Sequence, residues 1–216
     1  MARPPRPRPD RGLAETGLEI DRVVLFSDAV FAIAMTLLAL SLHIPSATRD
    51  RHVADAIQDA MPEVFTYVFS FGVISLYWLA HHRMYRYVAR LDAPMLALNL
   101  ATLCAVAFVP FPTQVLGDHG GTRAAVVFYA ATMTVLGAIV TASWWYASFR
   151  GGLMRSETPP ELVRHSLWRS ITFPAVFALS IPIAFVDPSA AEWSWLLIFL
   201  LRLVLRRRYG SIYRTA

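Results

Sequence analysis

The chain has 216 residues, of which 56% are hydrophobic and 16% charged, and its twenty basic residues, all arginine, leave a formal net charge of +5. The apolar side chains run in long blocks with the charges gathered between them, which excludes a soluble globular domain and points to a multi-pass membrane protein. The single cysteine, Cys104, lies inside an apolar stretch and excludes an intrachain disulfide.

Residues 1–18 open MARPPRPRPDRG, with almost nothing to bury, and are expected to form a disordered basic tail. Six apolar stretches follow at 22–44, 62–81, 94–116, 123–147, 167–186 and 190–205. Each is near the ~20 residues that cross ~30 Å of hydrocarbon, the last at the short limit. They predict an all-α, six-transmembrane-helix domain over 19–208, followed by a C-terminal tail at 209–216. The first stretch is longer than a signal-peptide core and contains Asp28, so it is expected to stay in the mature protein.

Residues 46–61 read as a short outer amphipathic segment carrying Asp50, Asp55 and Asp59, a solvated face or the lining of a vestibule. Pro110 and Pro112 in the third stretch, and Pro174 and Pro182 in the fifth, are expected to bend or end their helices. Arg202 near the end of the short sixth stretch predicts tilt or snorkelling.

Arginine placement orients the chain. Seventeen of the twenty lie in the N-tail, the 82–93 and 148–169 loops and the C-tail, and only Arg49, Arg51 and Arg123 fall on the other side. The positive-inside rule then puts both termini in the cytoplasm of a cell-membrane protein with an even number of crossings. The basic character is accounted for by topology and contact with anionic lipid, and no nucleic acid is expected as a partner.

Within the first helix, Arg22 and Asp28 interrupt an otherwise apolar run. A carboxylate there costs about 2.5–3.5 kcal/mol to insert, so it is expected to face a protein partner or a water-filled path. Arg22 and Asp28 are ~120° apart around the helix, too far for the pairing of residues three or four apart, which sends their partners to other helices. Asp28 lies ~9 Å along the helix from Arg22. The second helix ends YWLAHHRMYR, which places Trp78, His81 and His82 just before its cytoplasmic arginines, and the third opens APMLALNL, so Ser27, Asp28, His81 or His82, and Asn99 all fall in one cytoplasmic-side slab. Two readings stay open: an inter-helix clamp in which His81 and Asn99 satisfy Asp28, and a proton or ion site at Asp28.

The adjacent His81 and His82 diverge by ~100° and do not share a face as helical zinc ligands do, so no metal site is expected. Neither a nucleophile elbow nor a phosphate-binding glycine loop is present, which argues against an enzyme.

Arg22, Phe26, Ser27 and Asp28 form RxxxFSD, and AVFAIAMTLL follows. This resembles the signature that opens the first helix of the transmembrane protein 175 potassium channel family. Trp78-Leu-Ala-His81-His82, Leu98-Asn99-Leu100 and Pro110-Phe111-Pro112 are similar to the helix-two and helix-three motifs of its prokaryotic members. The resemblance covers 19–116 strongly and the rest by helix count.

It implies a modestly potassium-selective channel without a pore-loop filter or a cofactor, formed as a homotetramer in which the first helix lines the pore. Carried over by position, the constriction is Ile33 with further apolar rings at Leu37 and Leu40, and the hydroxyl tied to potassium preference is Thr36. Arg22, Phe26, Ser27, Asp28, Trp78, His81 and Asn99 are implied as a structural polar network. Ile33, Leu37 and Leu40 are spaced i, i+4, i+7 with Thr36 on an adjacent edge, which places them on one stripe. From a different class, a proton-coupled secondary transporter using Asp28 and His81 is the alternative, although no inverted repeat is visible.

Overall fold

The computed structural model describes residues 11–42 and 53–201, and side chains from Glu19 onward except those of Ser41, Val53 and Ala54. The C-terminal tail, Asp50 and Arg202 lie outside the described residues. Helix α1 spans Arg11–Leu37 and tightens into a 3₁₀ turn at Leu38–Ser41. It therefore begins inside the segment expected as a tail: past Pro9 the run RGLAETGL offers Leu, Ala and Glu, which favour a helix. A short α2 (Val53–Asp59) leads into α3 (Met61–Tyr87), α4 (Ala93–Phe108), α5 (Pro110–Asp118), α6 (Arg123–Trp145), α7 (Pro160–Ala184) and α8 (Pro188–Ser194). A π-helical turn, Tyr146–Arg150, extends α6.

Five of these helical runs are long and apolar enough to cross a membrane: Glu19–Leu40, Met61–Tyr87, Ala93–Asp118, Arg123–Arg150 and Pro160–Ala184. The sixth expected crossing corresponds to a shorter apolar helix, Pro188–Leu201, interrupted by a turn at 195–196.

Local chemistry explains the breaks. The third run divides at Val109, where Pro110 opens α5 with no N–H to lose. Asp92 caps α4 by accepting from Met95 N at 2.9 Å, and Asp187 caps α8 through Ser189 N and Ala190 N. Pro174 and Pro182 sit inside α7, which continues past Pro174 and ends shortly after Pro182. Such helices tolerate proline because neighbouring helices support the freed backbone. The neighbour here is α6: a Cβ at Gly137 would lie 2.8 Å from both Pro174 Cδ and the Tyr77 hydroxyl, so only glycine admits that approach.

The core runs through Phe31 of α1, Val73 and Ile74 of α3, Tyr129 and Met133 of α6, and Phe177 of α7. Several buried hydroxyls are paired within it. Ser70, Tyr129 and Thr113 join α3, α6 and α5 at 3.0 and 3.1 Å, and Trp195 donates to Ser180 at 2.7 Å.

The connections gather at two opposite ends. The α3–α4 connection pairs with the segment before α7 through a Val88–Met154 bridge, with Ala89 N bonded to Leu153 O and Arg155 N bonded to Tyr87 O, each at 2.8 Å. At the other end, Gly121 N donates to Glu192 Oε1 and Arg123 donates to Phe185 O, tying the α5–α6 turn to the α7–α8 turn.

Candidate functional site

Helix α1 has two faces. Ser27, Phe31, Ala34 and Leu38 are buried, the i, i+4, i+7, i+11 rhythm of a helix packed on neighbours. Phe26, Ile33, Thr36, Leu37 and Leu40 are exposed on the single subunit, Ile33 by 58% and Leu40 by 71%. The residues expected to line a pore therefore share an open side, with Thr36 beside them. The Thr36 hydroxyl donates to Ile33 O at 2.8 Å, the back-bond available to a helical threonine.

At the other end of α1 the buried face turns polar. Ser27 Oγ donates to Val23 O at 2.7 Å, Asn99 Nδ2 donates to Ser27 Oγ at 3.2 Å, and His81 Nε2 lies 2.8 Å from Asn99 Oδ1. When each donor is used once, a chain runs from His81 through Asn99 and Ser27 to the α1 backbone, and it requires the proton on Nε2 of His81. The His81 ring packs against Phe31 and Tyr85, at centroid distances of 5.5 and 4.6 Å, and its Nδ1 finds no hydrogen-bond partner among the described residues.

Asp28 belongs to a separate contact. Trp78 Nε1 donates to its Oδ1 at 2.8 Å, and the Trp78 ring leans on His82 at 5.6 Å. The reading in which His81 and Asn99 satisfy Asp28 is thus replaced by two links. Adjacent residues on α1 diverge by about 100°, so Ser27 reaches α4 while Asp28 reaches α3. Phe26 and Arg22 are exposed and stand apart from both links within the subunit.

Ser27, His81 and Asn99 therefore do meet, with Asp28 beside them on α1, and Trp78 joins through Asp28. Sequence reasoning missed Phe31 and Tyr85 as the aromatic walls of His81; their positions on α1 and α3 fit such contact, but an aromatic in an apolar run carries no signal of its own. Among the described residues no group of three or more His, Cys, Asp or Glu is placed to hold a metal.

A family model for the endosomal/lysosomal potassium channel TMEM175 matches residues 22–110, the segment that holds both links and the open face of α1. A potassium channel from Streptomyces collinus is 34% identical over 173 residues, covering 78% of this chain and 84% of its own. One from Chamaesiphon minutus is 31% identical over 144 residues, 64% and 71% of the two chains. The crystal structure of a lysosomal potassium-selective channel TMEM175 homolog from Chamaesiphon minutus superposes with a TM-score of 0.74 at 25% identity, covering 87% of this chain and 98% of that one. With a family segment that runs from α1 to the start of α5, and a relative matched over most of both lengths, the chain belongs to the TMEM175 channel family.

Proposed function

We propose that this chain is a potassium-preferring cation channel, a homotetramer in which four copies of α1 surround the pore. It is a transport protein of a channel family and not an enzyme. The observation that carries the reading is the open stripe of α1: Ile33, Leu37 and Leu40 are exposed on a helix whose opposite face is packed. Lipid contact alone would ask for no hydroxyl there, and Thr36 sits on the same side. The names of the two bacterial relatives support potassium as the permeant ion.

Mechanism follows from the side chains. A ring of Ile33 closes the pore by dewetting, because an ion entering it loses hydration water and gains no ligand. Leu37 and Leu40 extend the apolar passage. Thr36 commits its hydroxyl hydrogen to Ile33 O, which leaves the oxygen lone pairs to meet a passing cation. Selectivity is modest because hydroxyls replace only part of the water shell. Asp28 and His81 hold α1 in its rotation about its axis, and Arg22, exposed on one subunit, is available to a neighbouring copy. The potassium ion is cargo, and no cofactor enters the reading.

Both termini face the cytoplasm of a multi-pass cell-membrane protein, with the Pro188–Leu201 helix in the sixth crossing of a channel domain at 19–208. The test is single-channel recording of purified protein in bilayers with potassium on one side and sodium on the other. A reversal potential displaced toward potassium is expected; absence of any unitary current would overturn the reading.

A further inference from the structure

The π-helical turn that extends α6 grips the start of α4 in two ways. Its first residue, Tyr146, donates the phenol O–H to Asp92 Oδ2 at 2.7 Å, while the other carboxylate oxygen, Oδ1, accepts from Met95 N as the α4 cap. One carboxylate thus ties the end of α6 to the first turn of α4. The backbone after the turn holds the same connection: Ala89 N bonds Leu153 O, Arg155 N bonds Tyr87 O, and Arg90 donates to Gly152 O at 3.4 Å.

Register explains the unusual turn. Gly151 N bonds Tyr146 O at 2.8 Å, a span of five residues where an α-helix uses four, and Leu153 N bonds Ala147 O at 3.1 Å. The wider turn takes up one extra residue, and with it Leu153 and Arg155 arrive opposite Ala89 and Tyr87.

Helix α4 carries this hold to α1. Asn99 lies seven residues past Asp92, ~10 Å along the axis and within ~20° of the same face. Met95 and Asn99, both buried, belong to that face, and Asn99 Nδ2 donates to Ser27 Oγ of α1 at 3.2 Å. A rotation of α4 at its cap therefore draws the Asn99 amide away from Ser27.

We propose that Tyr146 is a positioning residue for α1: by fixing Asp92 it sets the rotation of α4 that keeps Asn99 on Ser27, and so the side of α1 that stays open. The consequence for the pore rests on the reading of α1 as its lining; the hold on α1 does not.

The experiment is modification of the full-length protein by N-ethylmaleimide, followed as a mass shift over time, in Cys104→Ser, Ala34→Cys. Ala34 is on the packed face of α1, so opening of that face limits the rate. Tyr146→Phe, which removes only the hydroxyl, should raise the rate about fivefold, the population change that one net hydrogen bond carries. Asp92→Asn keeps the cap and can give an N–H to the phenol oxygen, so its rate should stay near that of the parent. Ala130→Cys, buried on α6 and off this route, should react at one slow rate with or without Tyr146→Phe. In bilayers, Tyr146→Phe should also move the reversal potential away from potassium.

An unchanged rate at Ala34→Cys would overturn the inference. Equal acceleration at Ala34→Cys and Ala130→Cys would overturn it too, by showing a general loss of stability. Absence of current with and without Tyr146→Phe would sink the pore reading, while the rates still decide whether Tyr146 holds α1.

Discussion

Trp78 on α3 donates its indole N–H to Oδ1 of Asp28 on α1 at 2.8 Å, and this bond is separate from the chain that links His81, Asn99 and Ser27. The two links hold α1 from two directions. One comes from α3 alone, the other from α3 by way of α4, and together they fix which side of α1 stays open.

The separation has a measurable consequence in thermal unfolding of the purified protein. Trp78→Phe and Asn99→Ala should each cost about 1–3 kcal/mol, since each strands a partner in or near the core. In double-mutant cycles, Asp28→Asn with Trp78→Phe should couple strongly, and so should Ser27→Ala with His81→Ala through Asn99. Asp28→Asn with His81→Ala should be closer to additive. Strong coupling in that last pair would mean a single network.

How much of this was legible in the sequence differs from element to element. Long apolar runs announce spans by composition, and the i, i+4, i+7 spacing of Ile33, Leu37 and Leu40 already places them on one stripe. Depth along the helices also grouped Ser27, Asp28, His81 or His82, and Asn99. Partner choice was hidden, because depth is set by residue count whereas pairing depends on the rotation of each helix, which only packing decides. The π-helical turn at Tyr146–Arg150 left no trace either, and the helix at 11–18 was masked by the proline-rich residues before it.

At Gly137, α6 comes close to Pro174 of α7 and Tyr77 of α3. Gly137→Ala would put a methyl 2.8 Å from Pro174 Cδ and the Tyr77 hydroxyl, so it should destabilise by about 1–3 kcal/mol, as overpacking does. A melting temperature equal to that of the unaltered protein would show that α6 and α7 part without cost.

Topology is open to reporter fusions. The 88–92 and 151–159 segments should report one side, and the 119–123 and 185–192 segments the other, because hydrogen bonds join the segments in these pairs. Arginine bias makes the first side cytoplasmic. A fusion after Ala216 should also report the cytoplasm; an outside report would mean that the run from Pro188 does not cross.

Ile33 and Thr36 should fail differently in bilayer recordings. Ile33→Asn should raise leak current and reduce potassium preference by wetting the constriction. Thr36→Val should keep a conducting pore while its potassium-to-sodium permeability ratio falls. If Thr36→Val keeps the ratio and Ile33 variants shift it, the apolar ring itself discriminates between the ions.

The open face of α1 is the centre of this account, and cysteine accessibility reaches it most directly. In a Cys104→Ser background, single cysteines at Ile33, Thr36 and Leu40 should react with a water-soluble, charged thiol reagent and block current, whereas cysteines at Phe31 and Ala34, buried on the opposite face, should not. Block at Phe31 or Ala34 with silence at Ile33, Thr36 and Leu40 would contradict the assignment of that face to the pore.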